Sequence, residues 1–213
     1  MNWAELEQTL GRKFARLTTN VVVSRPGLWG PFRGLVRRQF DRMAPRWDAM
    51  RRPEAFAAFD VGLEALPEPP ARALDLGTGT GAAALRVAGR FPEAEIVGVD
   101  LAEAMVAQAR ANTPPELGDR VRFEAADASR LPFDDGSFDL VTLVNMIPFF
   151  DELARLVAPR GHLLFSFSGG PDTPIWVPPE RLERELGRRG FSEFASFEAA
   201  GATALLARKG DPA

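Results

Sequence analysis

Apolar residues recur at helical spacing in two stretches near the start of the chain: Leu6, Leu10, Phe14 and Leu17, then Phe32, Val36, Phe40, Met43 and Trp47. Steps of three and four residues put each set on one helix face, so the pattern predicts helices over 3–17 and 32–50. Between them, "SRPGLWGP" concentrates Gly and Pro and predicts a break. A third, short helix is expected over 54–66, closed by "PEPP" at 67–70.

The pattern then changes. Short apolar runs ("RALDLG", "AEIVGVD", "VRFEAAD", "FDLVTLVNM", "GHLLFSFS") read as buried strands, and the helical segments "GAAALRVAGRF", "AEAMVAQARAN" and "FFDELARLVAP" stand between them. Such alternation predicts an α/β fold: a doubly wound, mostly parallel sheet of Rossmann-like form, with right-handed crossovers and helices on both faces. After "RLERELGRRG", the runs "FSEFASFEAA" and "ATALLARKG" are separated by Gly201 and predict an antiparallel hairpin at the sheet edge, bringing the strands to seven. The expected organisation is a helical cap or lid over 1–66 and a sheet domain over 71–210. No internal repeat or low-complexity tract interrupts it.

The first predicted strand runs into "LDLGTGTG", residues 74–81, with three glycines in five positions. Glycine at that density marks a backbone that turns sharply or lets a ligand approach, and this loop lies at the carboxyl edge of the sheet, where open α/β folds bind ligands. Gly77-Thr78-Gly79-Thr80-Gly81-Ala82 also satisfies the dinucleotide pattern G-x-G-x-x-[GA], and no Lys-Ser/Thr pair follows to make a triphosphate loop. Asp100 closes the second strand. A carboxylate there can accept both hydroxyls of a ribose, and it can equally cap the following helix. Asp127, after the third strand, can accept from the exocyclic amine of adenine while the Ala128 N–H donates to the ring.

"LDLGTGTG", "VGVDLAEAM", "AADASRLPFDDGSFDLV" and "LVAPRGHLLFSF", in this order, resemble the class I S-adenosylmethionine-dependent methyltransferases over roughly 72–168. "FDRMAPRWDAM" at 40–50 is similar to the amino-terminal helix of their quinone-biosynthesis-like subgroup, with Trp47 where tyrosine is more usual. The resemblance implies S-adenosylmethionine as cofactor. It implies Asp75 near the amino group, Gly77, Thr78, Gly79 and Gly81 along the methionine end, and Asp100 with Leu101 and Met105 around the ribose. Asp127 and Ala128 fall to adenine, Asn145 to a cofactor or acceptor contact, and Trp47 to closing over the cofactor. A negative Asp75 suits a sulfonium and an ammonium, whereas it would repel a pyrophosphate.

Composition narrows the chemistry. One histidine, no tyrosine and no cysteine in 213 residues leave few acid–base groups and no His/Cys metal cluster. Methyl transfer from a sulfonium is an in-line displacement that positioning can drive, so this scarcity is tolerable. No catalytic base is assigned: His162 falls at the amino end of its strand, Asp151 is read as a helix cap and Asp172 as a turn residue. The expected acceptor is a small apolar molecule, with Phe149, Phe150, Trp176, Trp29 and Trp47 as candidate lining. "VNMIPFF" lacks the Asx-Pro-Pro-aromatic signature of DNA amino-methylation, and no RNA-binding module is present.

Although the net charge is −3, residues 11–52 hold eleven basic side chains against Asp41 and Asp48. That balance suits solvated helix faces, a lid over an acidic body, or a peripheral contact with an anionic membrane. The acidic first residues and the lack of a long apolar run make the cytoplasm the expected compartment. The competing functional readings are an NAD(P)-dependent oxidoreductase, on the glycine pattern alone, and a non-catalytic adenosylmethionine binder.

Overall fold

The computed structural model describes residues 3–211, with side chains from Gly11 onward. Helix α1 spans Trp3–Ser24 and α2 spans Trp29–Trp47, with a 3₁₀ turn at Pro26–Leu28 between them. Further 3₁₀ turns at Asp48–Met50 and Pro53–Phe56 lead into α3, Ala57–Glu64. The alternating part runs β1 Arg72–Leu76, α4 Ala82–Arg90, β2 Glu95–Asp100, α5 Glu103–Asn112, β3 Val121–Ala125 and β4 Phe138–Val144. It continues with α6 Phe150–Leu156, β5 Val157–Phe167, α7 Pro179–Gly187, β6 Phe191–Ala199 and β7 Ala202–Lys209.

The seven strands form one sheet in the order β3-β2-β1-β4-β5-β7-β6. β1 to β5 pair in parallel, and β7 runs antiparallel between β5 and β6, so the expected edge hairpin is present. Strand order reverses between β1 and β4, which opens a crevice at their carboxyl ends. Strand side chains alternate between two cores. Leu74, Leu76, Val141, Leu143 and Phe165 face one, together with Val22, Val23 and Trp29 of the amino-terminal segment. Ala73, Ile96, Leu140 and Leu164 face the other, with Phe59 and Leu63 of α3. Helix α3 is therefore a layer of the sheet; a Cβ on its Gly62 would sit 2.5 Å from Leu164 Cδ1. No described helix is long and apolar enough to cross a membrane.

Several boundaries differ from expectation. α1 continues past residue 17 through "TTNVVVS", a β-branched run of modest helix propensity. Burial of Val22 and Val23 overrides that preference. α2 starts at Trp29, not 32, because Pro31 falls in the first turn, where a missing N–H costs nothing. It also ends at Trp47, with a 3₁₀ turn carrying the chain to Met50. α6 stops at Leu156 and β5 begins at once, since Val157 already pairs with Phe138 before a bulge.

Candidate functional site

The glycine loop forms as its sequence requires. Gly77, Gly79 and Gly81 have φ of 67°, 55° and 87°, conformations that side-chain-bearing residues seldom adopt. Close packing adds a second reason for glycine. A Cβ at Gly77 would lie 2.8 Å from Met146 Sδ, and one at Gly79 would lie 3.3 Å from Trp47 Nε1. The turn is fixed by the Thr78 N–H donating to the Val99 carbonyl at 3.0 Å, and Gly81 caps α4.

Between this loop and the amino-terminal helices lies a cavity of about 380 Å³, within the range of small-molecule sites. Gly77, Thr78, Gly79, Asp100, Leu101, Met105, Ala128, Asn145 and Trp47 all line it. Asp75, Gly81 and Asp127 do not; they stand behind the lining residues. On the β1–β2 side the wall is the loop and Asp100. Towards β4 and β5 it carries Phe14 and Trp29 from the helices, Ile147 and Phe149 after β4, and Ile175 after β5, alongside the polar pair Asn145 and Ser168.

Asp100 ties this wall together. Its Oδ2 accepts from Gly79 N–H at 2.9 Å and its Oδ1 from Ala102 N–H at 2.8 Å, the latter at the start of α5. Each oxygen keeps lone-pair capacity for a ligand hydroxyl. Burial raises its pKa despite the backbone donors from Ala102 and Gly79. Asp75 lies beneath, 1% exposed, with Oδ1 accepting from the Thr142 hydroxyl at 2.8 Å and Oδ2 without a partner among the described residues. Its pKa is raised to about 6, chiefly because burial disfavours the charged form. The Thr78 hydroxyl is buried beside the same carboxylate and, with Thr142, partly offsets the effect of burial on it.

Asp127 is held by the cap. Its Oδ1 accepts from Trp29 Nε1 and from Ser129 N–H, each at 2.9 Å, and Arg33 reaches Oδ2 at 3.5 Å. Trp29 in turn packs edge-on against Phe149, with centroids 5.4 Å apart. Asn145 takes φ of 53° at the end of β4, strain that Asn tolerates better than most residues. Its side chain bridges to Ser168 after β5, donating to Oγ at 2.8 Å and accepting from the backbone N–H at 3.0 Å. Trp47 stacks edge-on with Phe40 and faces the glycine loop.

The sequence reading missed a polar clamp that fastens the cap to this loop. Asp48 Oδ1 accepts from the Thr80 hydroxyl and from Arg51, and Oδ2 accepts from Asn112 Nδ2 at 3.0 Å. Burial opposes ionisation here, but the donors Thr80 and Asn112 and the Arg51 charge outweigh it and lower the Asp48 pKa. Asp41 adds a contact from α2 to the amino end of α5, accepting from Ala104 N–H at 3.2 Å. The only local hint was Asp48 following Trp47 in the "RWDAM" motif.

Of the remaining candidates, Phe150 and Trp176 pack against the sheet core and do not line the cavity. Asp151 is not a cap: Phe149 holds the cap position, and Asp151 is paired with Arg189 at 2.7 Å. His162 pairs in register with Leu140 and Arg208, away from the cavity. No metal-binding cluster occurs among the described residues.

Comparison with known proteins agrees with this geometry. A family profile described as a methyltransferase domain matches residues 73–161. A demethylmenaquinone methyltransferase of Roseiflexus castenholzii is 40% identical over 175 residues, spanning 72% of this chain and 70% of its own length. One from Thermus thermophilus is 41% identical over 140 residues, spanning 59% and 62%. Of three other curated relatives it matches, the chain spans 39 to 58% of the length. The fold is also that of a SAM dependent methyltransferase from Aquifex aeolicus, with a TM-score of 0.64 at 18% identity over 78% of this chain and 97% of that one. The chain therefore belongs to the class I S-adenosylmethionine-dependent methyltransferases of the quinone-biosynthesis type.

Proposed function

We propose that this protein transfers a methyl group from S-adenosylmethionine to a small, largely apolar acceptor, of the kind that a quinone precursor represents. The observation that carries the reading is one cavity whose lining joins the glycine loop and Asp100 to a set of apolar and aromatic side chains. When bound, S-adenosylmethionine supplies a methyl group already activated on a sulfonium.

The residues present fit that group. Gly77 and Gly79 let the backbone approach closely, and Thr78 lines the cavity between them. Asp100 is held by two backbone N–H groups with lone pairs left for a ribose, and Ala128, which lines the same cavity, is read as an adenine contact. In this reading Asp127 accepts from the adenine amine, Leu101 and Met105 pack against the adenosine, and Trp47 covers the loop. Asp75 contributes negative potential from below the loop, favouring a cationic ligand without touching it.

No side chain in the aromatic wall is suited to act as a strong base. The chain's contribution is to orient the acceptor, hold it at attack distance and exclude water, and such positioning supplies much of the rate in bimolecular transfers. The alternative as a nicotinamide-dependent oxidoreductase has no support beyond the glycine spacing. Calorimetry with S-adenosylhomocysteine, followed by transfer of a labelled methyl group to a prenylated 1,4-naphthoquinol, tests the proposal. Binding with turnover is expected; an absence of binding would overturn it.

A further inference from the structure

Thr18 and Thr19 are neighbours on α1, both buried, yet they use their hydroxyls differently. Thr19 Oγ1 donates to the Ala15 carbonyl at 2.8 Å, the common way for a helical threonine to satisfy itself. Thr18 is 1% exposed, lines the cavity, and its Oγ1 has no hydrogen-bond partner among the described residues. A buried hydroxyl without a partner is costly, and such groups occur where a ligand supplies the missing bond.

Its position fits an acceptor and not the cofactor. Arg12 and Arg16 bind this stretch of α1 to the carbonyls of Asp172 and Thr173, in the segment after β5. The glycine loop and Asp100 lie instead at the ends of β1 and β2, across the switch point. Thr18 shares the cavity wall with the apolar Phe14, Trp29, Phe149 and Ile175, and the lining hydroxyl after β5, Ser168 Oγ, already accepts from Asn145 Nδ2 at 2.8 Å.

We infer that Thr18 is a positioning residue for the acceptor, hydrogen-bonding one oxygen of an otherwise apolar, ring-bearing substrate. This rests on the acceptor-site reading above. It predicts recognition of a phenolic or quinonoid oxygen, since a site built around one buried hydroxyl discriminates against an analogue lacking that oxygen.

The test uses the 213-residue chain saturated with S-adenosylhomocysteine, titrated with 1-naphthol or naphthalene. Wild type is expected to prefer 1-naphthol by about fivefold or more, as one net hydrogen bond implies. Thr18→Val keeps the shape and should lower that preference below about twofold with naphthalene affinity unchanged, whereas Thr18→Ser should retain it. An unchanged preference in Thr18→Val, equal binding of both probes by wild type, or binding of neither overturns the inference. Calorimetry with S-adenosylhomocysteine alone separates the causes: if it binds normally, only the role of Thr18 fails; if it does not, the methyltransferase reading fails first.

Discussion

Trp29 Nε1 donates a 2.9 Å hydrogen bond to Asp127 Oδ1, joining the first turn of α2 to the loop after β3 across 98 residues of sequence. The carboxylate proposed to receive adenine is thus already engaged by the cap, and Asp127 is withdrawn from the cavity lining. An adenine amine that takes Oδ1 would displace the Trp29 donor, since that oxygen already accepts from Trp29 and Ser129.

That exchange is measurable. Trp29→Phe keeps a ring against Phe149 but removes the donor, and S-adenosylhomocysteine affinity should rise about threefold to tenfold, the size of one net hydrogen bond. Asp127→Ala should weaken binding by about 1–3 kcal/mol and abolish the gain from Trp29→Phe in the double variant. Unchanged or weaker binding by Trp29→Phe would mean that the two donors do not compete.

The clamp of Asp48 on Thr80, Arg51 and Asn112 should decide how firmly the cap sits. Asp48→Ala removes the acceptor for three donors and should destabilise the protein by about 1–2 kcal/mol. Amide exchange across residues 31–50 should quicken in the variant, and S-adenosylhomocysteine should slow it in wild type by holding the cap closed. Identical protection with and without ligand would identify a static cap.

Asp75 gives a pH signature. Its folded pKa, about 6, lies above the ordinary 3.8 because of burial. Between these values the folded state holds a proton that the unfolded state has released, so stability falls as pH rises through this window and the penalty is complete above about 6. Asp75→Asn keeps an acceptor for Thr142 and should flatten that slope. The same shift predicts that binding a cationic ligand releases a proton near pH 6, so affinity for S-adenosylmethionine strengthens from pH 5 to 7 in wild type and not in the variant. Thermal melts and calorimetry in buffers of differing ionisation heat check both.

At Gly79, φ of 55° strains any residue with a side chain, and an added Cβ would also crowd Trp47 Nε1 at 3.3 Å. Gly79→Ala should cost about 1–2 kcal/mol from backbone strain alone and weaken S-adenosylhomocysteine about tenfold. Gly27→Ala, where nothing lies within 4 Å of the added Cβ, should leave both melting temperature and affinity unchanged.

How much of this was legible in the sequence follows from the range of each interaction. The sheet, the glycine loop and Asp100 were readable because short apolar runs, turn glycines and a strand-closing acid are local signals. The length of α1 was not, because burial of Val22 and Val23 outweighs their propensity and burial cannot be read locally. The Trp29–Asp127 bond, the Asp48 clamp and the unpartnered Thr18 depend on how the cap packs on the sheet, for which no spacing rule exists. Asp75 was legible as an acid beside the loop, but its burial behind the lining, and so its indirect action, appears only in three dimensions.

The account rests above all on a ribose held by Asp100, whose geometry two backbone donors fix. Substituting Asp100 would also disturb Gly79 and Ala102, so the ligand is the better place to make the change. Calorimetric titration of the wild-type protein with S-adenosylhomocysteine and with its 2′,3′-dideoxyribose analogue tests it most directly. The account predicts clear binding of the former and a loss of about tenfold or more for the latter, as expected for charge-assisted hydrogen bonds. Equal affinities, or no binding of S-adenosylhomocysteine, would contradict it.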